Sequence, residues 1–238
     1  MTQDRRNGIV TGIFYILAAA ASIIAVLCYA PVLNDQWYLA VTNQRQTEVL
    51  IGVLNDLLLV ISAVGTAIML FPYLRRWNEH LALGYLCFRF MEAVFIAIGV
   101  VSILGLLQLS THYEASGGSN QANLLEIGYL LQGTHRWTQM LGPNFMLGVN
   151  TTLYSYLLFR TRLVPRPLAL FGMVTAVLVF TAGLLEMFGA FEPYSAAKGF
   201  LALPVGVYEM SLAVWLIVKG FSTRNKAGSM TIVQNEAD

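Results

Sequence analysis

Apolar positions along this chain fall into six long runs, at 8–33, 48–73, 81–109, 138–159, 168–191 and 199–218, divided by short polar stretches. About 20 mainly apolar residues suffice for one helix to cross a bilayer. The pattern therefore predicts an all-α, polytopic bundle of six transmembrane helices filling residues 1–221, with a polar, disordered tail at 222–238. The first run exceeds the apolar core of about 7–15 residues in a signal peptide, so it reads as a retained helix. The turn at 77–80 is tight enough to make the second and third runs an antiparallel hairpin. Residues 34–47 read as a polar loop, with Trp37 and Tyr38 suited to a membrane interface. Gly117, Gly118, Ser119 and Asn120 mark a flexible loop, and 192–198 a short polar turn.

One stretch fits two arrangements. Leu124, Leu125, Gly128, Leu131 and His135 recur at helical spacing beside polar Glu126, Gln132 and Arg136. This segment is either an interfacial helix or an extension of the fourth span beyond the lipid. The fourth span is the least apolar, carrying Pro143, Asn144 and Asn150, and a kink is expected near the proline.

Composition agrees with a chain that lives in lipid. It is 57% hydrophobic and 11% charged over 238 residues, against about 25% charged in ordinary soluble domains. The formal net charge of +1 gives no reason to expect nucleic acid as a partner. The placement of the bases says more than their sum. Arg5, Arg6, Arg75, Arg76, Arg160, Arg162, Arg166, Lys219, Arg224 and Lys226 all fall on one side of a six-span chain. The other side offers Arg45, Lys198 and Arg136. Basic loops stay cytoplasmic, so both termini should face the cytoplasm, with the protein multi-pass in a cell (inner) membrane. The asymmetry requires an even number of spans.

Inside the runs stand Asp56, Arg89, Glu92, Glu186 and Glu209. A charge at the bilayer centre costs about 2.5–3.5 kcal/mol on insertion scales, so such groups face inward and find partners. Arg89 and Glu92, three apart, share a helix face. Four carboxylates face one arginine, and Arg136 reaching in leaves the acids in excess. Protonation, a bound cation or water in a polar cavity has to balance them. Two readings follow. Either Arg89, Glu92 and Glu209 form the centre of a cavity, with Asp56 and Glu186 toward its outer mouth and Tyr208 and Tyr154 along its wall, or the same residues are a clasp that locks helices. Asn144 and Asn150 read as hydrogen-bonding links between helices, with Asn144 a further candidate for the cavity. Gly99 and Gly105 read as sites of close helix packing.

The remaining chemistry is mostly excluded. His80, His112 and His135 lie at helix ends, in loops or near the outer interface, so no facing pair could hold a haem. His135 with Glu126 and Arg136 reads as an exposed interfacial cluster. Cys28 and Cys87 fall at opposite membrane depths if their helices run parallel, which removes a disulfide and, with the scattered histidines, a zinc site. No cofactor is expected. No phosphate-binding loop, metalloprotease motif or Ser-His-Asp set occurs, and no internal repeat.

Two segments carry a resemblance. Phe88-Arg89-Phe90-Met91-Glu92-Ala93 resembles the Arg-Leu-x-Glu-Ala pattern of a bacterial multi-span family. Pro204-Val205-Gly206-Val207-Tyr208-Glu209 with Trp215-Leu216-Ile217-Val218-Lys219-Gly220-Phe221 is similar to that family's last helix, and Gly8-Ile9-Val10-Thr11-Gly12-Ile13-Phe14-Tyr15-Ile16 to its first. The family is domain of unknown function 4386. The resemblance implies a small helical integral membrane protein and no established activity. The leading expectation is a membrane protein whose acidic intramembrane cavity binds or moves a small solute or proton, with the lipid bilayer as its surroundings. The alternatives are a non-catalytic scaffold or accessory protein and, last, an intramembrane enzyme acting on lipid, for which no nucleophile–base pair is visible.

Overall fold

A computed structural model describes residues 3–116, 121–191 and 195–221. The 222–238 tail, the four loop residues at 117–120 and residues 192–194 lie outside the described residues. Within them the chain is helical, without strands: α1 (Gln3–Leu33), α2 (Tyr38–Gln44), α3 (Gln46–Leu74), α4 (Glu79–Ala115), α5 (Gln121–Met140), a π-helical segment (Leu141–Met146), α6 (Leu147–Thr161), α7 (Arg166–Met187) and α8 (Ala196–Val218). Five helices, α1, α3, α4, α7 and α8, are long and apolar enough to cross a membrane. Their outer faces are apolar, with Leu27, Leu54, Val101 and Leu203 exposed at 67%, 65%, 67% and 66%. A soluble surface does not present such a belt around its whole circumference.

The fourth apolar run is built differently from the other five. α5, the π-helical segment and α6 follow one another without a break over 121–161. The segment at 124–136 is therefore an extension of the rod that holds the fourth run. Leu124, Leu125 and Leu131 pack with Tyr29, Val32, Leu39, Val100 and Ile103. The irregularity expected at Pro143 is the π-helical segment. Proline has no N–H, so the Gln139 carbonyl four residues earlier loses its usual donor. The Asn144 side-chain amide donates to that same carbonyl at 3.3 Å. Asn144 thus mends its own helix, whereas the sequence pattern suggested a link to another one.

The stretch at 34–47 is also not the plain loop its polarity suggested. It contains α2, whose Tyr38, Leu39 and Thr42 are buried on one face. The Tyr38 hydroxyl donates to the Leu125 carbonyl at 2.6 Å, fastening α2 to α5. Burial holds that hydroxyl above the usual tyrosine pKa. Two aromatics expected at the interface thus divide, Tyr38 turning inward and Trp37 staying 62% exposed.

Counting α5 to α6 as one, six rods pack in chain order, each antiparallel to the next, and α8 closes against α1. A Cβ on Gly12 would meet the Ala213 carbonyl oxygen at 2.7 Å, so only glycine allows α1 and α8 this close. At one end of the bundle Tyr73 stacks on Phe221 at 4.1 Å, donates to Asp4 at 3.0 Å and accepts from Asn7 at 3.1 Å. Arg160 lies over the Trp77 ring at 4.9 Å. The starts of α1 and α7, the ends of α3, α6 and α8, and with them the arginines at 5, 6, 75, 76, 160, 162 and 166 therefore share this end.

Candidate functional site

The ring of rods encloses a charged layer near its centre. α4 carries Tyr85, Arg89 and Glu92 down a single inward face, because steps of four and three residues keep a helical register. Arg89 is 2% and Glu92 4% exposed. The Arg89 guanidinium meets Glu92 Oε2 at 3.0 Å and Oε1 at 3.4 Å. Its Nε donates to the Ala63 carbonyl of α3 at 3.4 Å. From α6, the fully buried Asn150 amide donates to Glu92 Oε2 at 2.6 Å. Glu92 is therefore held by two donors, one on its own helix and one across the bundle.

Glu209 enters from α8 and is held much less. Its Oε1 lies 3.7 Å from Arg89 Nη1, within ion-pair reach but beyond a hydrogen bond, and the side chain is 13% exposed. That oxygen is buried and accepts no hydrogen bond from the described residues. One guanidinium faces two carboxylates, and it is spent mainly on Glu92.

Tyrosines wall this layer. Tyr15 of α1, Tyr85 of α4, Tyr154 of α6 and Tyr208 of α8 are all fully buried. Tyr154 sits at the middle, its ring centroid 6.4 Å from Tyr15, 5.3 Å from Tyr85 and 6.0 Å from Tyr208. Tyr208 and Ser155 share a hydrogen bond at 2.9 Å. The hydroxyls of Tyr15 and Thr66 neighbour that of Tyr85, and Tyr208 neighbours that of Tyr154. Yet the hydroxyls of Tyr15, Tyr85 and Tyr154 complete no hydrogen bond within the described protein. Buried polar atoms are nearly always satisfied, so three open hydroxyls beside an open carboxylate oxygen single out this layer.

The outer acids do not join that centre. Asp56 is 2% exposed, with Oδ2 unbonded, next to the Tyr29 hydroxyl. Tyr29 in turn meets the His135 ring edge-on at 5.5 Å. His135 is 3% exposed and not the surface group its position suggested. Its Nδ1 lies 3.2 Å from the Gly99 carbonyl, which can only accept, so Nδ1 carries a proton. This group lies seven residues along α3 and α4 from Ala63 and Glu92, a rise of about 10 Å.

Glu186 forms a third, separate group. Its side chain is 1% exposed, and Lys198 Nζ stands 2.7 Å from Oε2, outside hydrogen-bond angles. Arg136 Nε approaches Oε1 at 4.0 Å. Lys198 belongs to the first turn of α8, whose N-cap Ser195 accepts from its backbone N–H. It had read as a loop cation. Glu186 is consequently balanced, and the excess of acid rests on Glu209 and Asp56. Arg136 turns to Glu186 while His135 is buried, so the exposed cluster expected of His135, Glu126 and Arg136 does not form.

A family model described as domain of unknown function (DUF4386) matches residues 10–220. The chain belongs to this family. The matched span of DUF4386 takes in every residue of the central layer, from Tyr15 to Glu209. No curated protein matches the chain, and no solved structure does.

Of the residues the sequence singled out, the central layer brings together Arg89, Glu92, Glu209, Tyr208, Tyr154 and Asn150, the last as a hydrogen-bonding link between α6 and α4. Asp56, Glu186 and Asn144 lie elsewhere. Ser155 joins from α6, Tyr15 from α1 and Tyr85 from α4. Tyr85 was findable, since it stands four residues before Arg89. Tyr15 carried no signal, because a tyrosine in a span is ordinary and its depth depends on how α1 is set against α8.

Proposed function

We propose that the six rods are six membrane spans with both chain ends cytoplasmic, in the inner membrane of a bacterium, and that the central layer takes up and releases a proton, alone or with a small solute. The apolar belt and the arginines at one end of the bundle support the orientation. Residues 1–221 then form one membrane domain. The functional claim is carried by one observation. Glu209 Oε1 is buried and unbonded, 3.7 Å from an arginine already engaged by Glu92, among three tyrosine hydroxyls that have polar neighbours but complete no hydrogen bond. A carboxylate in that setting needs a proton, a cation or water beside it.

The scaffold reading keeps support from the other glutamate. Glu92, between Arg89 at 3.0 Å and Asn150 at 2.6 Å, has the geometry of a clasp joining α4 to α6. The two readings divide between the acids, Glu92 holding the helices and Glu209 handling the proton. An enzyme acting on lipid gains nothing from this geometry.

Infrared difference spectra of the membrane-reconstituted protein between two pH values test the division. One component of the pH-dependent carboxylic C=O bands should vanish in Glu209→Gln and persist in Glu92→Gln. The same titrating bands in the wild type and in Glu209→Gln would remove Glu209 from this role.

A further inference from the structure

At the arginine-bearing end, two turns meet through one aromatic side chain. Trp77, between α3 and α4, lies edge-on to Tyr156 of α6 at 6.0 Å, and Arg160 covers both rings, at 4.9 Å and 5.9 Å. Arg75 lies over Phe71 at 5.8 Å, Arg76 over Tyr73 at 5.7 Å and Arg166 over Phe159 at 5.2 Å. Arg162, in the turn between α6 and α7, has a left-handed backbone at φ 56. All five guanidinium-bearing residues are exposed. Among the described residues none of them has a carboxylate partner, although Glu79 is exposed close by in sequence.

We infer that this band of five arginines is a binding site for the phosphodiester headgroups of anionic phospholipid. Three features favour lipid over a soluble anion. Among the described residues the cations have no carboxylate ion-pair partner, and they are gathered from two turns, as in segments that recognise acidic lipids. Four of them lie on aromatic rings, which suit the depth of the headgroups. Directly beyond them the surface is apolar, with Ile68 57% and Leu170 52% exposed, where acyl chains would lie. The inference rests on the membrane reading and is independent of what Glu209 does.

The test uses the full chain, delipidated in mild detergent and then given phosphatidylglycerol, phosphatidylcholine or inorganic phosphate, with bound lipid counted by native mass spectrometry. Phosphatidylglycerol should be retained in preference to phosphatidylcholine. The preference should fall about fivefold for each arginine removed in Arg162→Gln/Arg166→Gln, since a basic residue near an acidic surface contributes roughly that factor. The same variant should keep the wild-type melting temperature in phosphatidylcholine, and Arg45→Gln, at the other end, should change nothing. Equal retention of the two lipids, an unchanged preference in the double variant, or displacement by inorganic phosphate at equal concentration would each overturn the assignment. Failure here leaves the proton reading untouched, because the infrared band of Glu209 is measured separately.

Discussion

Arg89→Gln should destabilise the protein by about 3–5 kcal/mol, the cost of removing one partner from a buried ion pair. The effect is large because one guanidinium serves two acids. Glutamine cannot reach both, so Glu92 keeps only Asn150 and Glu209 keeps nothing. Thermal unfolding in detergent reads the loss. Glu92→Gln added to Arg89→Gln should recover part of it, because a neutral amide no longer needs the cation, and Asn150 can still hydrogen-bond to it. A double variant as unstable as the sum of the two singles would show that Arg89 and Glu92 do not act as a pair.

Gly172→Ala should also be costly, for steric reasons alone. A Cβ there would run into the ring of Tyr208 and the hydroxyl of Ser155. Tyr208 is fully buried against α6 and α7, with Phe171 at 6.1 Å and Tyr154 at 6.0 Å, so it has nowhere to retreat. Overpacking of this kind costs about 1–3 kcal/mol, against at most about 1 kcal/mol gained from better helix propensity. Gly206→Ala is the control, because nothing lies within 4 Å of a Cβ at that position. A lower melting temperature for Gly172→Ala and an equal or higher one for Gly206→Ala is the expected pair. Equal behaviour of the two would mean that α7 does not press on Tyr208.

These contacts also explain what the sequence could and could not reveal. Apolar runs are long-period signals, so the rods were legible, and the three-residue spacing of Arg89 and Glu92 was enough to pair them. The position of Glu209 near mid-span put it at the right depth for Arg89. What remained hidden depends on how one rod is set against another. Gly12 against Ala213 and Gly172 against Tyr208 fix the register of α8, and a lone glycine in an apolar run carries no address. Lys198 looked like a loop residue because helix N-termini begin in polar sequence. Asn144 looked like interhelical glue because the carbonyl it satisfies is opened by the proline one residue before it. His135 read as exposed since its neighbours Thr134 and Arg136 are polar, yet it lies on the side of α5 where Gly128 and Thr138 are also buried.

We propose that the layer around Glu209 exchanges its proton as a hydrated site and is not dry packing. A high-resolution density map of the protein in a nanodisc, inspected at Arg89, Glu92 and Glu209, tests it most directly. The account predicts ordered water or solute density touching Glu209 Oε1 and the hydroxyls of Tyr15, Tyr85 and Tyr154. Those hydroxyls paired only with one another, and Glu209 drawn into hydrogen-bond contact with Arg89 with no density between, would contradict it and leave the clasp as the whole function of the layer.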